Sequence, residues 1–112
     1  MKNFLFLYRA DYNAMPERTP EQMQATTQRW MDWIGSIAAQ NHLVDRGNRL
    51  ESTGKVLSGN NVETDGPFTE IKEALMGYSV VNADNYEQAM KLAAGCPILP
   101  GGSIEVREIS VM

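Results

Sequence analysis

Apolar and polar residues alternate along the chain in patterns that predict three elements in the first half. Residues 4–8 are apolar on both alternating faces, which is typical of a central strand that is covered on both sides. Residues 11–18 are mostly polar and predict a loop. Thr19-Pro20-Glu21-Gln22 is a capping box with proline at the first helical position, so a helix begins there. Its apolar stripe comprises Met23, Thr26, Thr27, Trp30, Trp33, Ile34, Ile37 and Ala38.

The middle of the chain predicts a hairpin followed by a short helix. Residues 55–57 and 62–64 are strand-like and are joined through Gly59-Asn60-Asn61, which favours a tight turn. Residues 69–76 are compatible with one or two helical turns, because Ile71 and Leu75 have i,i+4 spacing and Gly77 would end the helix.

The remaining residues predict a strand, a helix and a last strand. Residues 78–81 are strand-like, and residues 84–87 form a second capping box. The helix that follows has a stripe of Tyr86, Ala89, Met90 and Ala93 and is ended by Gly95 and Pro97. Apolar and charged residues alternate over residues 104–107, which predicts a strand with one solvent-exposed face. These elements predict an α+β fold in which two helices pack on one face of an antiparallel sheet. The opposite face of the sheet would be exposed to solvent unless another surface packs on it.

Size and charge narrow the class of protein. The chain has 112 residues, of which 43% are hydrophobic and 21% charged, so we expect one globular domain over residues 1–112. A core of this size is thin, which favours a homodimer. The formal net charge is −4 and the lysines and arginines are dispersed, which argues against nucleic acid as a partner. The amino-terminal apolar run is too short for a signal peptide or a membrane span, so we expect a cytoplasmic protein without a membrane partner.

Residues 64–72 are the most informative segment for function. Asp65-Gly66 and Gly66-Pro67 are turn formers, and Phe68 is expected to be the buried anchor of the loop. Asp65 has two interpretations: a turn residue, or an acid or base whose pKa is raised by partial burial. Glu70, Lys72 and Glu73 either hold a substrate anion at the same rim or form a solvated helical face.

This segment and its flanks resemble the DGPF-domain branch of the YCII-related family. The ordered blocks that carry the resemblance are residues 47–56, 65–68, 72–78, 95–99 and 104–109, and it covers residues 2–109. It implies a ferredoxin-like antiparallel sheet with two helices on one face, dimerising through the sheet as a dimeric α+β barrel. It does not imply a known activity. Members of the wider group are thought to use a His and an Asp together, but this chain has Gln24, Gln28 and Arg29 where the His would be expected.

The other reactive residue types are sparse. His42 is the only histidine and follows the first helix, where its charge would favour the helix dipole, so catalysis or haem ligation by it is not expected. Cys96 is the only cysteine; it cannot form an intramolecular disulfide and is interpreted as a small buried hydrophobe. The usual zinc ligand sets and the common nucleotide-binding motifs are absent, so we expect no cofactor and no metal.

Together these observations predict a homodimer that binds a small molecule, with acid–base chemistry of the isomerase or lyase type. Asp65 is the candidate catalytic residue. The alternative is a non-catalytic interaction or ligand-sensing module in which the D-G-P-F loop only organises the dimer. The sequence does not identify the ligand. The candidate ligand-binding residues are Tyr8, Arg9, Arg29, Phe68 and Lys72.

Overall fold

The computed structural model describes residues 1–11, 19–66, 74–99 and 101–111. In these residues the chain forms a four-stranded sheet, two helices and a separate two-stranded hairpin. The elements are β1 (Lys2–Ala10), α1 (Pro20–Ala39), β2 (Leu43–Asp45), β3 (Gly54–Leu57), β4 (Glu63–Gly66), β5 (Ala74–Ala83), α2 (Tyr86–Ala93) and β6 (Ser103–Glu108).

The main sheet has the strand order β2-β5-β1-β6, and each neighbouring pair is antiparallel. Leaving the β3–β4 hairpin aside, the chain runs βαββαβ with β1 at the centre beside β5. This is the α+β fold that the pattern predicted, in the ferredoxin-like arrangement that the resemblance implied, and the central position of β1 is confirmed. No helix in the described residues is long and apolar enough to cross a membrane.

Both helices pack on one face of this sheet. Phe4, Phe6 and Tyr8 alternate along β1 and are buried on that face, whereas Leu5 and Leu7 point to the other face and are only half-buried. The helices complete the core from above, and the Phe6 ring stacks against Trp33 with 6.2 Å between ring centroids. The core cluster consists of Phe4, Phe6, Tyr8, Trp33, Ile37, Val81, Ala83, Ala89, Ala93 and Cys96.

The capping box predicted for α1 is confirmed. The Gln22 backbone N–H donates to Thr19 Oγ1 at 3.2 Å, and the Thr19 backbone N–H donates to Gln22 Oε1 at 2.9 Å. The predicted stripe is right only in its second half, because the core contacts that half of the helix. Trp33 and Ile37 are buried and Trp30, Ile34 and Thr26 half-buried, whereas Met23, Thr27 and Ala38 are exposed.

The helical turns predicted for residues 69–76 are wrong where the structure describes them. Residues 74–76 belong to β5, which pairs with β1 from Ala74 to Ala83. Long-range pairing therefore overrides the i,i+4 pattern of Ile71 and Leu75. Gly77 does not end a helix but lies within the strand, where an added Cβ would meet the Asn48 carbonyl oxygen at 2.8 Å. Residues 69–73 lie outside the described residues.

The second helix begins one residue later than the capping box at 84–87 predicted. Its N-cap is Asn85, whose Oδ1 accepts the Gln88 backbone N–H at 2.9 Å. Gln88 Oε1 in turn accepts the Asp84 backbone N–H at 2.7 Å. Only the alanines of the predicted stripe are buried, and Tyr86 and Met90 are about half exposed, because α2 is short and packs by its smallest side chains.

The predicted hairpin is confirmed, with each strand slightly longer than expected. Gly54 to Leu57 of β3 pair with Glu63 to Gly66 of β4. The Asn61 backbone N–H donates to the Ser58 carbonyl at 2.9 Å and Asn61 has φ of +62°, which is typical of a tight turn followed by a left-handed residue.

Candidate functional site

A groove of about 520 Å³ lies between α1 and the segment that follows α2. The groove is shallow and largely open to solvent, so it would cover only part of a ligand, unlike an enclosed small-molecule site. Two parts of the chain that are distant in sequence therefore meet at one surface. The lining residues are Arg29, Asp32, Trp33, Gly95, Cys96, Pro97 and Leu99.

Trp33 holds the two walls of the groove together. Its indole Nε1 donates to the Leu92 carbonyl at 3.0 Å, which ties α1 to the end of α2. Gly95 lies directly against the same ring, because a Cβ at this position would be 3.2 Å from Trp33 Cδ1 and 3.3 Å from Nε1. A larger residue would push the segment away from the indole, so glycine sets the width of the groove here.

The groove carries one cationic and one anionic side chain. Arg29 is exposed, and its guanidinium donates to Thr26 Oγ1 at 3.2 Å. Asp32 accepts a hydrogen bond from Gln28 Nε2 at 2.8 Å. Within the described residues neither forms an ion pair. The Arg29 guanidinium therefore keeps donors available to a ligand anion.

Cys96 contributes an apolar part of the wall. The residue is 3% exposed, and burial raises the pKa of its thiol to about 11, an effect that a hydrogen bond with the Ile98 backbone partly offsets. The thiol is thus neutral at physiological pH and is not activated as a nucleophile. This confirms the interpretation of Cys96 as a small buried hydrophobe.

Tyr8 is near this region but is inside the protein. Its hydroxyl donates to Ser79 Oγ at 2.7 Å, and the Ser79 hydroxyl donates to the Arg46 carbonyl at 2.6 Å. Trp30 covers the Tyr8 ring with 4.9 Å between centroids. Burial raises the pKa of Tyr8 well above its usual value, so the phenol stays protonated. In a single chain Tyr8 is buried beneath Trp30 and Trp33 and does not line the groove.

Arg9 lies on the opposite face of the sheet, because it follows Tyr8 directly in β1. Its Nε donates to Glu105 Oε1 at 3.1 Å, and Arg107 approaches Glu105 Oε2 at 3.3 Å. These hydrogen bonds, that from Arg9 first, hold the pKa of the Glu105 carboxyl below its usual value. Arg9 and Arg29 are therefore on different faces of the molecule.

Asp65 is exposed and lies in β4 opposite Lys55. Asp65 and Gly66 are the last two residues of β4, and Pro67 and Phe68, with which they were predicted to form a turn, lie outside the described residues. Lys55 Nζ pairs instead with Glu63 Oε1 at 3.0 Å, and within the described residues the Asp65 carboxylate has no hydrogen-bond or ion-pair partner. The partial burial suggested for Asp65 is absent in a single chain. Phe68, Glu70, Lys72 and Glu73 lie outside the described residues.

The family model of the YCII-related domain matches residues 3–112, which is almost the entire chain. The chain belongs to the YCII-related family. No curated protein matches it.

This YCII-related domain brings few of the sequence-predicted site residues together. Among the described candidates, Arg29 lines the groove, Tyr8 lies in the core, Arg9 is on the other sheet face and Asp65 is on the hairpin. In the parts of the chain that the structure describes, no group of three His, Cys, Asp or Glu side chains is arranged to hold a metal.

His42 was expected to interact with the dipole at the end of α1, but its imidazole is hydrogen-bonded to Asn82 of β5. Its Nδ1 is 2.9 Å from the Asn82 carbonyl oxygen and 3.1 Å from Asn82 Oδ1. A carbonyl oxygen only accepts, so Nδ1 carries a proton and the ring ties the end of α1 to β5. His42 is thus a structural link in this YCII-related domain.

Sequence reasoning missed the other lining residues of the groove and the partner of Tyr8. Trp33 was predicted only as part of the apolar stripe of α1, yet it also lines the groove, as does Asp32. Ser79 could have been found, because it is a hydroxyl residue on an otherwise apolar strand face and such a group needs a buried partner. The segment 95–99 offered no signal of this kind.

Proposed function

We propose that this YCII-related protein is a cytoplasmic homodimer that binds a small organic anion in the groove beside Arg29. The observation that carries the proposal is the Arg29 guanidinium, whose described partner is a single hydroxyl, at the rim of a groove of about 520 Å³. A charged donor beside apolar walls is the usual composition of a small-molecule site.

The composition of the groove indicates the class of ligand. Arg29 offers the planar fork that suits a carboxylate, and Cys96, Pro97 and Leu99 suit an apolar body. Asp32 at the same surface disfavours a ligand with several negative charges and accepts a hydrogen bond from a hydroxyl or amine. A small carboxylic acid with an apolar body and one donor group fits these three features.

The homodimer is supported by the area that one chain exposes. Its accessible surface is 8020 Å², whereas a compact monomer of 12.5 kDa exposes about 6,200 Å². The sheet face that the helices leave open is apolar at its centre, where Leu5, Leu7, Tyr78 and Val80 are only half-buried. A second copy covering this face would lower the exposed apolar area of each chain.

Acid–base chemistry of the isomerase or lyase type is the catalytic form of this proposal, with Asp65 as the candidate acid or base. Tyr8 and Cys96 do not qualify, because burial raises both pKa values and keeps both groups neutral. The D-G-P-F run at residues 65–68 and the blocks around it support membership of the DGPF branch.

Calorimetric titration with a panel of small carboxylic acids tests the binding site. We expect Arg29→Ala to weaken the best ligand at least tenfold, the scale of a lost charged hydrogen bond of roughly 1.5–3 kcal/mol. Arg49→Ala is the matched control, because it removes an exposed arginine that does not line the groove. A panel without any binder, or equal affinity in wild type and Arg29→Ala, would contradict the proposal.

The second candidate function is a non-catalytic interaction or ligand-sensing module, and the exposure of Asp65 favours it. Asp65→Asn separates the two. If the protein is an enzyme, the variant should bind the ligand and lose turnover. If wild type and Asp65→Asn both bind the ligand and neither converts it, the sensing module is the better description.

A further inference from the structure

The β3–β4 hairpin, residues 54–66, stands apart from the rest of the described chain, and we refer to it as the arm. Its two strands pair only with each other in a sheet of their own. They make few contacts with the main sheet or the helices. A two-stranded hairpin on its own is marginally stable in water, so the arm needs a surface to pack against.

The arm exposes apolar side chains that would normally be covered. Leu57 is 68% exposed and Val62 is 48% exposed. Both lie at the outer end of the hairpin, one at the end of β3 and the other in the turn region before β4. Their exposure makes this end of the arm available for a contact with another surface.

The chain is more extended than a compact domain of the same length, as expected if one side of the arm is not packed against the rest of the chain. The radius of gyration is 15.5 Å, whereas a compact domain of this length has about 13 Å. The exposed area exceeds that of a compact monomer by about 1,800 Å². A standard interface buries about 800 Å² per partner, so one chain has enough surplus surface for an extensive contact with a second copy.

The arm and the margin of the open sheet face carry charged groups of opposite sign. One face of the arm presents Lys55, Glu63 and Asp65 beside Leu57, and its one cation and two anions leave it net negative. The margin of the open sheet face presents two cations, Arg9 and Arg107, around Glu105, and 68% of the Arg107 side chain is exposed. Complementary charge of this kind selects and orients a partner.

We propose that the arm of each subunit packs on the open sheet face of the partner subunit, with Asp65 directed to the margin formed by Arg9, Glu105 and Arg107. This docking arrangement rests on the homodimer of the proposed function, and it goes further by naming the arm as the element that each subunit packs on the other. Asp65 then belongs to the interface, on the sheet face opposite the groove beside Arg29, so this docking favours the non-catalytic module over acid–base chemistry by Asp65 on a ligand in that groove.

Sedimentation measurements of the dimer dissociation constant test the arm. Leu57→Lys should raise this constant at least tenfold, because it places a charge in the contact, while the circular dichroism spectrum stays unchanged because Leu57 touches little of its own chain. Met31→Lys is the matched control, since Met31 is 57% exposed on α1 and outside the arm. Leu57→Met should behave as wild type.

A charge exchange tests where the arm docks. Asp65→Lys and Arg107→Glu should each weaken the dimer, and the double variant should recover at least tenfold over either. A double variant without this recovery would overturn the docking position. If the wild type is a dimer and Leu57→Lys raises its dissociation constant less than tenfold, the arm is not part of the contact, although the homodimer is retained. If the wild type is a monomer, the homodimer itself is contradicted.

Discussion

The buried hydrogen-bond chain from Tyr8 through Ser79 to the Arg46 carbonyl is the clearest single-residue determinant of this fold. Ser79→Ala removes the acceptor of one buried hydroxyl and the donor to one carbonyl. Each unsatisfied buried group costs about 1–3 kcal/mol, so we expect the two to lower the free energy of unfolding by roughly 2–6 kcal/mol. Tyr8→Phe keeps the bond from Ser79 to Arg46 and should cost less, about 1 kcal/mol. Equal losses in urea denaturation would contradict this account.

Cys96 makes stability sensitive to alkaline pH. Its pKa is raised from 9.0 to about 11 by burial, so below pH 9 the thiol is protonated in both folded and unfolded chains. As pH rises from about 9 to 11 the unfolded chain ionises first, and the free energy of unfolding should fall by up to about 3 kcal/mol. Tyr8 acts in the same direction at higher pH.

Cys96→Ala should flatten this part of the pH profile. The measurement is the free energy of unfolding in denaturant at several pH values between 8 and 11, at a reducing potential that prevents thiol oxidation. If wild type and Cys96→Ala lose stability in parallel over this range, the thiol is not the titrating group.

At the scale of elements, the segment between β2 and the arm depends on one glycine. Gly47 has φ of +72°, and an added Cβ would overlap the Tyr78 carbonyl oxygen. Gly47→Ala should therefore cost at least about 2 kcal/mol, from both the left-handed backbone and the contact. Gly35→Ala is the control, because it lies in α1 with open space around it and should stabilise by up to about 1 kcal/mol. Thermal unfolding of both variants tests the pair.

Elements with local signals were predictable from the sequence, and those decided by distant pairing were not. The α1 cap, the hairpin and strands β1 and β6 follow from capping residues, turn residues and alternation. Residues 74–76 looked helical because Ala, Leu and Met favour helices, but pairing with β1 makes them a strand. Asp65 looked like a turn residue because it precedes Gly66, and these two are the last residues of β4.

The candidate site was predictable only in part for the same reason. Arg29 could be chosen from the sequence because it is a cation on α1 at a position where the resemblance leads one to expect a histidine. Its groove depends on the segment 95–99, which is brought to α1 by the Trp33 hydrogen bond to Leu92 and by the close approach of Gly95. Neither contact has a local signature, since the residues involved are about sixty positions apart.

At the scale of the whole molecule, one chain exposes more surface than its mass requires. In the proposed homodimer a second copy covers the open sheet face and completes the fold, which lowers the accessible area of 8020 Å² per chain. The contact that would complete it should bury well over about 1,000 Å² in total, as stable specific interfaces do. The groove beside Arg29 lies on the helix side and stays accessible in that arrangement.

The mass of the wild-type protein in solution tests this account most directly. Sedimentation equilibrium at micromolar concentration should give a dimer of about 25 kDa, twice the 12.5 kDa of one chain. The apparent mass should decrease on dilution if subunits exchange, and it should not exceed the dimer at higher concentration. A mass of 12.5 kDa throughout the micromolar range would contradict the account.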